Sequence, residues 1–478
     1  MGFKPVVLWT DAVLWLMLAA LAVYVWRVRA KPNLRANWLK VFRDAPAACS
    51  ALVLSLFLAV TLLDSLHYRA TLPGQAGTAT AYDTRTQSVL DALLAPLVES
   101  REATYSIPLA YQGFTKESRQ QGDRTERVLP RLQFGGAHLT DPATQWVPDL
   151  LARTAAGVVV GLMLALAVAA LVAAVHARRQ RIGWREAAAR IAGNRTDLPL
   201  RALLLTFAAV CVLVGPVVAL AGHYHVFGTD RTGNDVLYQA LKSVRTAFVI
   251  GTLATIATLP FAIVFGVAAG YFRGWVDEVI QYLYTTLSSV PGVLLIAACV
   301  LMVQVFIDKH PELFETGAER ADLRIFLLCV ILGLTGWAGL CRLLRAETMK
   351  LRELEYVQAA TAFGVGHVRI MARHVLPNVM HLVLITTVLE FSGLILYEAV
   401  LSYVGVGVDP SMNSFGGMIN LARSEMSRDP VIWWSFAAAF AFMVTLVLAA
   451  NLFADGVRDA FDPRARVFRA RARFGPVR

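Results

Sequence analysis

Two carboxylates stand inside one apolar run of this chain, Glu390 and Glu398 within residues 380–401. An ionised side chain near the centre of a membrane helix costs at least ~2.5–3.5 kcal/mol, so such residues usually face a cavity or a partner. Glu390 lies nearer the middle of the run, and two readings stand for it: it lines a solute path and meets an amino group, or it pairs with a neighbouring subunit. Glu398 lies near the end of the run, where an interfacial structural role is the simpler reading. Asp11, close to the end of the first apolar run, reads most simply as solvated.

Bond-making chemistry is not evident. No G-x-x-x-x-G-K-[ST] loop occurs, so nothing in the chain cradles phosphates. No Ser/His/Asp set and no metal-ligating cluster stands out. Cys49, Cys211, Cys299, Cys329 and Cys341 are widely spaced, without a CxxC pair, within or at the ends of apolar runs. They read as small buried hydrophobes, with no disulfide framework and no zinc site. The expectation is no catalytic residue, no metal and no cofactor in this chain, which is therefore not an enzyme by itself.

The elements that must position these residues are membrane helices. The 478 residues are 57% hydrophobic and 17% charged, against roughly 45–50% and 25% in a soluble domain. The apolar excess comes in blocks. A span needs about 20 apolar residues to cross a hydrocarbon core of about 30 Å. Nine blocks qualify, near 6–26, 46–66, 152–175, 202–222, 247–269, 284–306, 323–343, 380–401 and 431–453. The start of 284–306 is blurred by "TTLSSVPG". The first block lacks a small-residue cleavage site and reads as a retained span, not a signal peptide.

A net charge of +11 raises the question of nucleic acid. The basic residues flank apolar blocks instead, which is a topology signal. Connections 27–43, 177–201 and 344–379, together with the tail, carry them and are expected on the cytoplasmic side. Nine spans then leave the N-terminus outside and the C-terminus inside. The mainly acidic "DKHPELFETGAERAD" and the long connection 67–150 fall outside. Within 67–150, "SVLDALLAPLVE" has the pattern of a short amphipathic helix.

Residues 355–378, "EYVQAATAFGVGHVRIMARHVLPN", are charged and glycine-punctuated. Leu354, Val357 and Ala360 fall at a spacing of three, which predicts a short amphipathic helix. Gly364 and Gly366 then offer the left-handed conformations that a tight turn needs. A second helix follows with Val368, Met371, Ala372 and Val375 on one face, and Pro377 is expected to break it at Leu376. Helices this short are marginal alone and need a surface to pack on. From pattern alone that surface is either the chain's own spans and lipid, or a soluble partner.

These residues resemble a known family. "QAATAFG…HVLP" is similar to the EAA signature of permease subunits of ATP-binding-cassette importers. Its alanines match Ala359 and Ala360, its glycine Gly364, and its end Leu376-Pro377. The Glu that precedes the alanines in the family is Gln358 here, with Glu355 one turn earlier. "EYVQAA" and "RHVLPN" are similar to the dipeptide/oligopeptide branch. So are "HVFGTDRTGNDVL", "LYEAVLSYVGVGV" and "ANLFADGVRDAFDPR", and "GYFRGWVDE", where Arg273 departs.

The resemblance implies an all-α integral membrane protein with about nine transmembrane helices and a six-helix permease core. It divides the chain into an N-terminal extension with three extra helices (1–176), a cytoplasmic linker (177–201), a permease domain (202–463) with a coupling region (353–377), and a basic tail (464–478). Carried over, Glu355, Gln358, Ala359, Ala360, Gly364, His374, Leu376 and Pro377 would meet an ATPase subunit. Gly228, Thr229, Asp230, Gly233 and Asp235 are candidates to receive an extracytoplasmic substrate-binding protein, and Glu390 and Glu398 are pathway candidates. Val236, Leu237, Ala240, Leu241 and Val244 share a face, which predicts an interfacial helix before the next span.

The implied partners are a second permease subunit, two ATP-binding subunits that carry ATP and Mg, the binding protein and membrane lipid, with no nucleic acid. The implied location is the bacterial inner membrane, and the implied cargo is a di- or oligopeptide. Alternatives are a non-peptide cargo such as a nickel chelate or peptide antibiotic, and a self-sufficient secondary transporter or channel. The latter would call for an internal repeat, and no clear one is found. A non-transporting scaffold is suggested only by residues 1–201.

Overall fold

The computed structural model describes residues 3–72, 82–121 and 124–461. The tail 464–478 lies outside the described residues, as does part of the loop 67–150. In chain order the helices are α1 (Trp9–Ala30), α2 (Pro32–Arg43), α3 (Ala45–Asp64), α4 (Val89–Leu93), α5 (Ala95–Glu99), α6 (Pro142–Gln180), α7 (Trp184–Ala192), α8 (Leu200–Ala221), α9 (Val236–Phe272), α10 (Gly274–Ser289), α11 (Gly292–Lys309), α12 (Gly317–Gly336), α13 (Ala338–Arg352), α14 (Glu355–Ala362), α15 (His367–Ile370), α16 (Leu376–Tyr403), α17 (Phe415–Glu425) and α18 (Trp434–Phe461). Short strands β1 (Phe3–Val6), β2 (His67–Ala70) and β3 (Gln87–Ser88) pair antiparallel, and β4 (Glu117–Gln121) forms a hairpin with β5 (Arg124–Val128).

Among the described residues eight helices are long and apolar enough to cross a membrane, or nine if the bent pair α12/α13 is one span. All nine expected blocks are accounted for, with boundaries that moved for physical reasons. The blurred block 284–306 is two elements: α10 stops at Ser289, and α11 starts after Pro291, whose ring cannot continue a helix inward. The block 323–343 bends by 41° between Gly336 and Ala338. The interfacial helix expected before the fifth span is not separate. It is the first part of the 37-residue α9, and Val236, Leu237, Ala240 and Val244 are buried in protein. "SVLDALLAPLVE" folds as two short helices, α4 and α5, the first held by a Ser88–Asp91 capping box.

α9 is the hub of the bundle, and its small residues let neighbours approach its backbone. A Cβ on Gly266 would lie 2.8 Å from the Cys341 carbonyl oxygen of α13, and one on Gly251 2.8 Å from the Phe391 ring of α16. On the other side, a Cβ on Gly333 of α12 would lie 2.4 Å from Ala257 Cβ. In lipid, where apolar surface alone gives little drive for association, such close approach is what holds helices together.

The helices of residues 1–201 are built into this bundle. α3 packs on α18 so closely that a Cβ on Gly456 would sit 2.3 Å from Ala47 Cβ. α6 crosses α8 at Gly157 and Gly161 against Cys211 and Gly215, backbone on backbone. Leu14 of α1 is fully buried in a cluster with Ile250, Leu253, Ile325 and Leu328.

Candidate functional site

The region 353–377 sits at the basic end of the bundle. α14 closes with a Schellman turn: Gly364 N–H donates to the Thr361 carbonyl (3.0 Å) and Val365 N–H to the Ala360 carbonyl (3.1 Å). Gly364 supplies the left-handed step at φ +74°. Gly366 does not use that freedom. Its φ is −60°, in the extended region.

The expected second helix is not free-standing. α15 passes through a π-turn, Met371–Val375, into α16, so that His367–Tyr403 is one continuous helix. Pro377 lacks an N–H and its ring crowds the preceding turn of an α-helix. The wider π-turn makes room, and Leu376 N–H donates to Met371 O, five residues back. Leu376 is therefore helical (φ −53°, ψ −45°) and not a break. The extra residue also shifts the buried face. Ile370, Val375 and Val379 are fully buried, whereas Val368 is 75% exposed and Ala372 is exposed.

Below its tip the turn is firmly held. Val357, Ile370 and Val375 enter a core cluster with Tyr271, Leu340 and Leu344. Arg352 Nη1 donates to the Tyr271 carbonyl (2.6 Å), and the Tyr271 hydroxyl meets His367 Nδ1 (3.0 Å). Asn378 Nδ2 donates to the Tyr356 hydroxyl (3.0 Å). Arg273 stands at φ +58°, a conformation that costs a side-chain-bearing residue roughly 1–3 kcal/mol. From there its guanidinium reaches Glu353 at 2.5 Å.

The tip itself is bare. Glu355, Gln358, Ala359, Gly364 and Pro377 are exposed, Ala360, His374 and Leu376 are half-buried, and Phe363 is 87% exposed.

At the opposite end of the bundle, residues 228–235 form a second glycine turn, and most of it is covered. Thr229 and Gly233 are buried against residues 102–106 of the chain's own loop, and Asp235 is buried beside His225. Thr229 Oγ1 donates to the Thr104 carbonyl (2.9 Å) and accepts from Ser106 N–H (2.7 Å), while Trp434 Nε1 donates to the Thr229 carbonyl (3.0 Å). Asp235 caps α9 through Leu237 and Tyr238 N–H (2.8 and 3.1 Å). His225 lies between Asp235 (Nδ1 to Oδ2, 2.8 Å) and Glu102 (Nε2 to Oε1, 3.4 Å). Burial opposes a charge on His225, but the two carboxylates win and push its pKa up to about 9. Burial likewise opposes a charge on Glu102, yet His225 and the N–H groups of Gln133, Phe134 and Gly135 bring it down to about 2. Gly228 is buried as well, against Ser106 and Trp434, and Asp230 alone of the five candidates remains half-buried, facing a cavity.

Glu398 is buried and accepts from Ser402 Oγ at 2.6 Å, with Ser414 and Gly416 also bonding it, so it ties α16 to α17. Glu390 is half-buried. Asp11 is not solvated but 2% exposed. It accepts from Arg245 (2.6 Å) and meets His67 Nδ1 (2.7 Å), while Asp322 lies 3.6 Å from Arg245 and bonds Thr10. Lys242, one turn away, donates to Asp64 (2.6 Å). The sequence signal for this network was "LKSVR" at the head of an apolar run, with carboxylates at the ends of others. Which charge met which was a matter of folding.

A family model described as "Binding-protein-dependent transport system inner membrane component" matches residues 262–467. The oligopeptide transport system permease protein OppC of Haemophilus influenzae is 32% identical over 243 residues, covering 51% of this chain and 71% of that one. OppC of Mycobacterium tuberculosis (strain ATCC 25618 / H37Rv) is 32% identical over 248 residues, covering 52% and 79%. A solved structure of the MetNI methionine ABC transporter overlaps 48% of this chain and 96% of that one at TM-score 0.34 and 14% identity, too loosely to add weight. With a third of positions shared across most of the length of these relatives, the chain belongs to the permease subunits of ATP-binding-cassette importers, in their OppC-like branch.

Proposed function

We propose that this chain forms half of the translocation path of an ATP-driven importer for di- or oligopeptides. A second permease subunit, the same chain or another, would form the other half. Two ATP-binding subunits, with ATP and Mg, would supply the power, and an extracytoplasmic binding protein would deliver the cargo. The membrane is the bacterial inner membrane, with the basic end in the cytoplasm and the 228–235 turn outside. The coupling contact runs through Glu355, Gln358, Ala359, Ala360 and Gly364. The permease family itself is not catalytic. The peptide cargo is supported by the relatives, whose names are those of oligopeptide permeases.

One observation carries the coupling role: a turn rooted in the core by Val357, Ile370 and Val375 presents a bare Phe363 and a side-chain-free Gly364 at its tip. Phe363 is not alone there, since Val368, Leu354 and Tyr356 of the same region are exposed too, and a group of exposed apolar residues on a rigid surface marks a contact with a partner. The test is a complex assembled with Gly364→Asp. The variant is expected to lose substrate-stimulated ATP hydrolysis while the membrane subunits remain together. Full stimulation would overturn the docking assignment.

A further inference from the structure

A cavity of about 680 Å³ opens at the outer end of the permease core. That is the size of small-molecule sites, which run from roughly 300 to 1,000 Å³. Helices α11, α12 and α17, the 404–414 connection and the 228–235 turn wall it, and its lining includes Asp230, Gln239, Gln304, Arg324, Asp409 and Asn420. Its wall mixes apolar side chains such as Met412 and Leu421 with amides, hydroxyls and charges, the make-up of sites that orient a small ligand by a few polar groups.

Arg324 sits at its heart. Nη1 meets Asp409 Oδ2 at 3.0 Å, Nη2 donates to Gln304 Oε1 at 2.7 Å, and Nε is buried without a hydrogen-bond partner. The side chain is 12% exposed and anchored on three elements: α12, α11 and the 404–414 connection. A guanidinium held this way presents the planar fork that recognises a carboxylate. An incoming carboxylate can replace Asp409 without leaving the guanidinium unpaired, and Asp409 keeps the N–H and hydroxyl of Ser411 (2.9 and 2.7 Å) when displaced. Asp230 lines the same cavity and is bonded by Thr232 and Asn234 and by Gln239, with no cationic side chain paired to it among the described residues.

We infer that this cavity receives a short zwitterionic peptide, with Arg324 taking the terminal carboxylate in exchange for Asp409 and Asp230 facing the ammonium group. The side-chain amides between them match peptide N–H and C=O groups. The assignment rests on the importer reading and adds to it a site on this chain.

The test uses the full complex in proteoliposomes with trialanine as free acid and as C-terminal amide. The binding protein imposes the same bias on every complex, so a change in the free-acid to amide ratio belongs to this chain. Arg324→Gln is expected to lower free-acid uptake by about tenfold or more, the loss of one charge-assisted bond, and to leave amide uptake near its wild-type value. Arg324→Lys should recover part of the preference. A parallel fall of both peptides, or no change in the ratio, would overturn the site. A second measurement does not depend on the folding of Arg324 variants. In Asn420→Cys, free-acid trialanine should suppress labelling by a membrane-impermeant maleimide, and unchanged labelling would overturn the site. If the wild-type complex imports neither peptide while hydrolysing ATP, the peptide reading itself falls, and the site with it.

Discussion

The chain has two glycine turns that look alike on paper, "GVG" at 364–366 and "GTDRTG" at 228–233, and they need glycine for different reasons. At Gly364 the need is conformational: φ is +74°, and an added Cβ would meet nothing within 4 Å. At Gly233 it is also spatial: φ is +78°, and an added Cβ would fall 1.8 Å from the Glu102 carbonyl oxygen. One turn is kept open, the other is filled by the chain's own loop. A positive-φ glycine therefore marks a turn, but only its surroundings tell whether the turn is a socket already occupied or a surface still free.

That contrast can be broken in order of expected cost. Gly233→Ala should be the most damaging, about 4 kcal/mol or more, because clash and strain act together; loss of thermal stability and new protease cutting in residues 101–121 would report it. Next comes Arg245→Ala. It leaves Asp11 and Asp322 without their buried cation, at a cost of about 3–5 kcal/mol in a melting experiment.

Loop docking at the 228–235 turn should show a pH plateau. The His225 contribution is complete below its usual pKa of 6.5 and fades as pH rises through about 9. The Glu102 contribution is complete above its usual 4.5 and fades as pH falls toward about 2. Proteolysis of the loop should thus stay flat between those usual values, accelerate progressively from pH 6.5 to about 9 and level off above; a flat profile across that interval would contradict the His225 pairing.

The open turn should tolerate far more. Gly364→Ala pays only for its backbone, about 1–2 kcal/mol confined to the turn, and should retain ATPase coupling that Gly364→Asp loses. Phe363→Ala, at an 87% exposed site, should shift stability by less than about 0.5 kcal/mol, yet weaken co-purification of the ATPase subunits.

The spans were legible because hydrocarbon imposes length and composition on each segment independently, and the nine blocks needed no knowledge of one another. The Gly364 turn was legible for the same reason, being local. What escaped depended on distant partners. Asp11 could not be told from a solvated carboxylate without Arg245, far along the chain. Thr229 and Gly233 could not be seen as covered without residues 102–106. A 3.6-residue period puts Val368 on one face with Met371, Ala372 and Val375, but the helix carries one residue more across 371–375, and Val368 turns outward while Val375 is buried.

That extra residue is absorbed within a single wide turn, so the segments on either side of Met371–Val375 keep nearly the same phase. Removing one residue there would close the turn into ordinary α-helix and press the Pro377 ring against the carbonyl one turn back, while the tip that carries Phe363 keeps its bearing. Inserting one residue into the regular part of α16 would instead turn that tip by about 100° around the helix axis. A single-codon deletion in the wide turn should therefore cost stability, and a single-codon insertion after it should leave the span inserted with its tip pointing the wrong way.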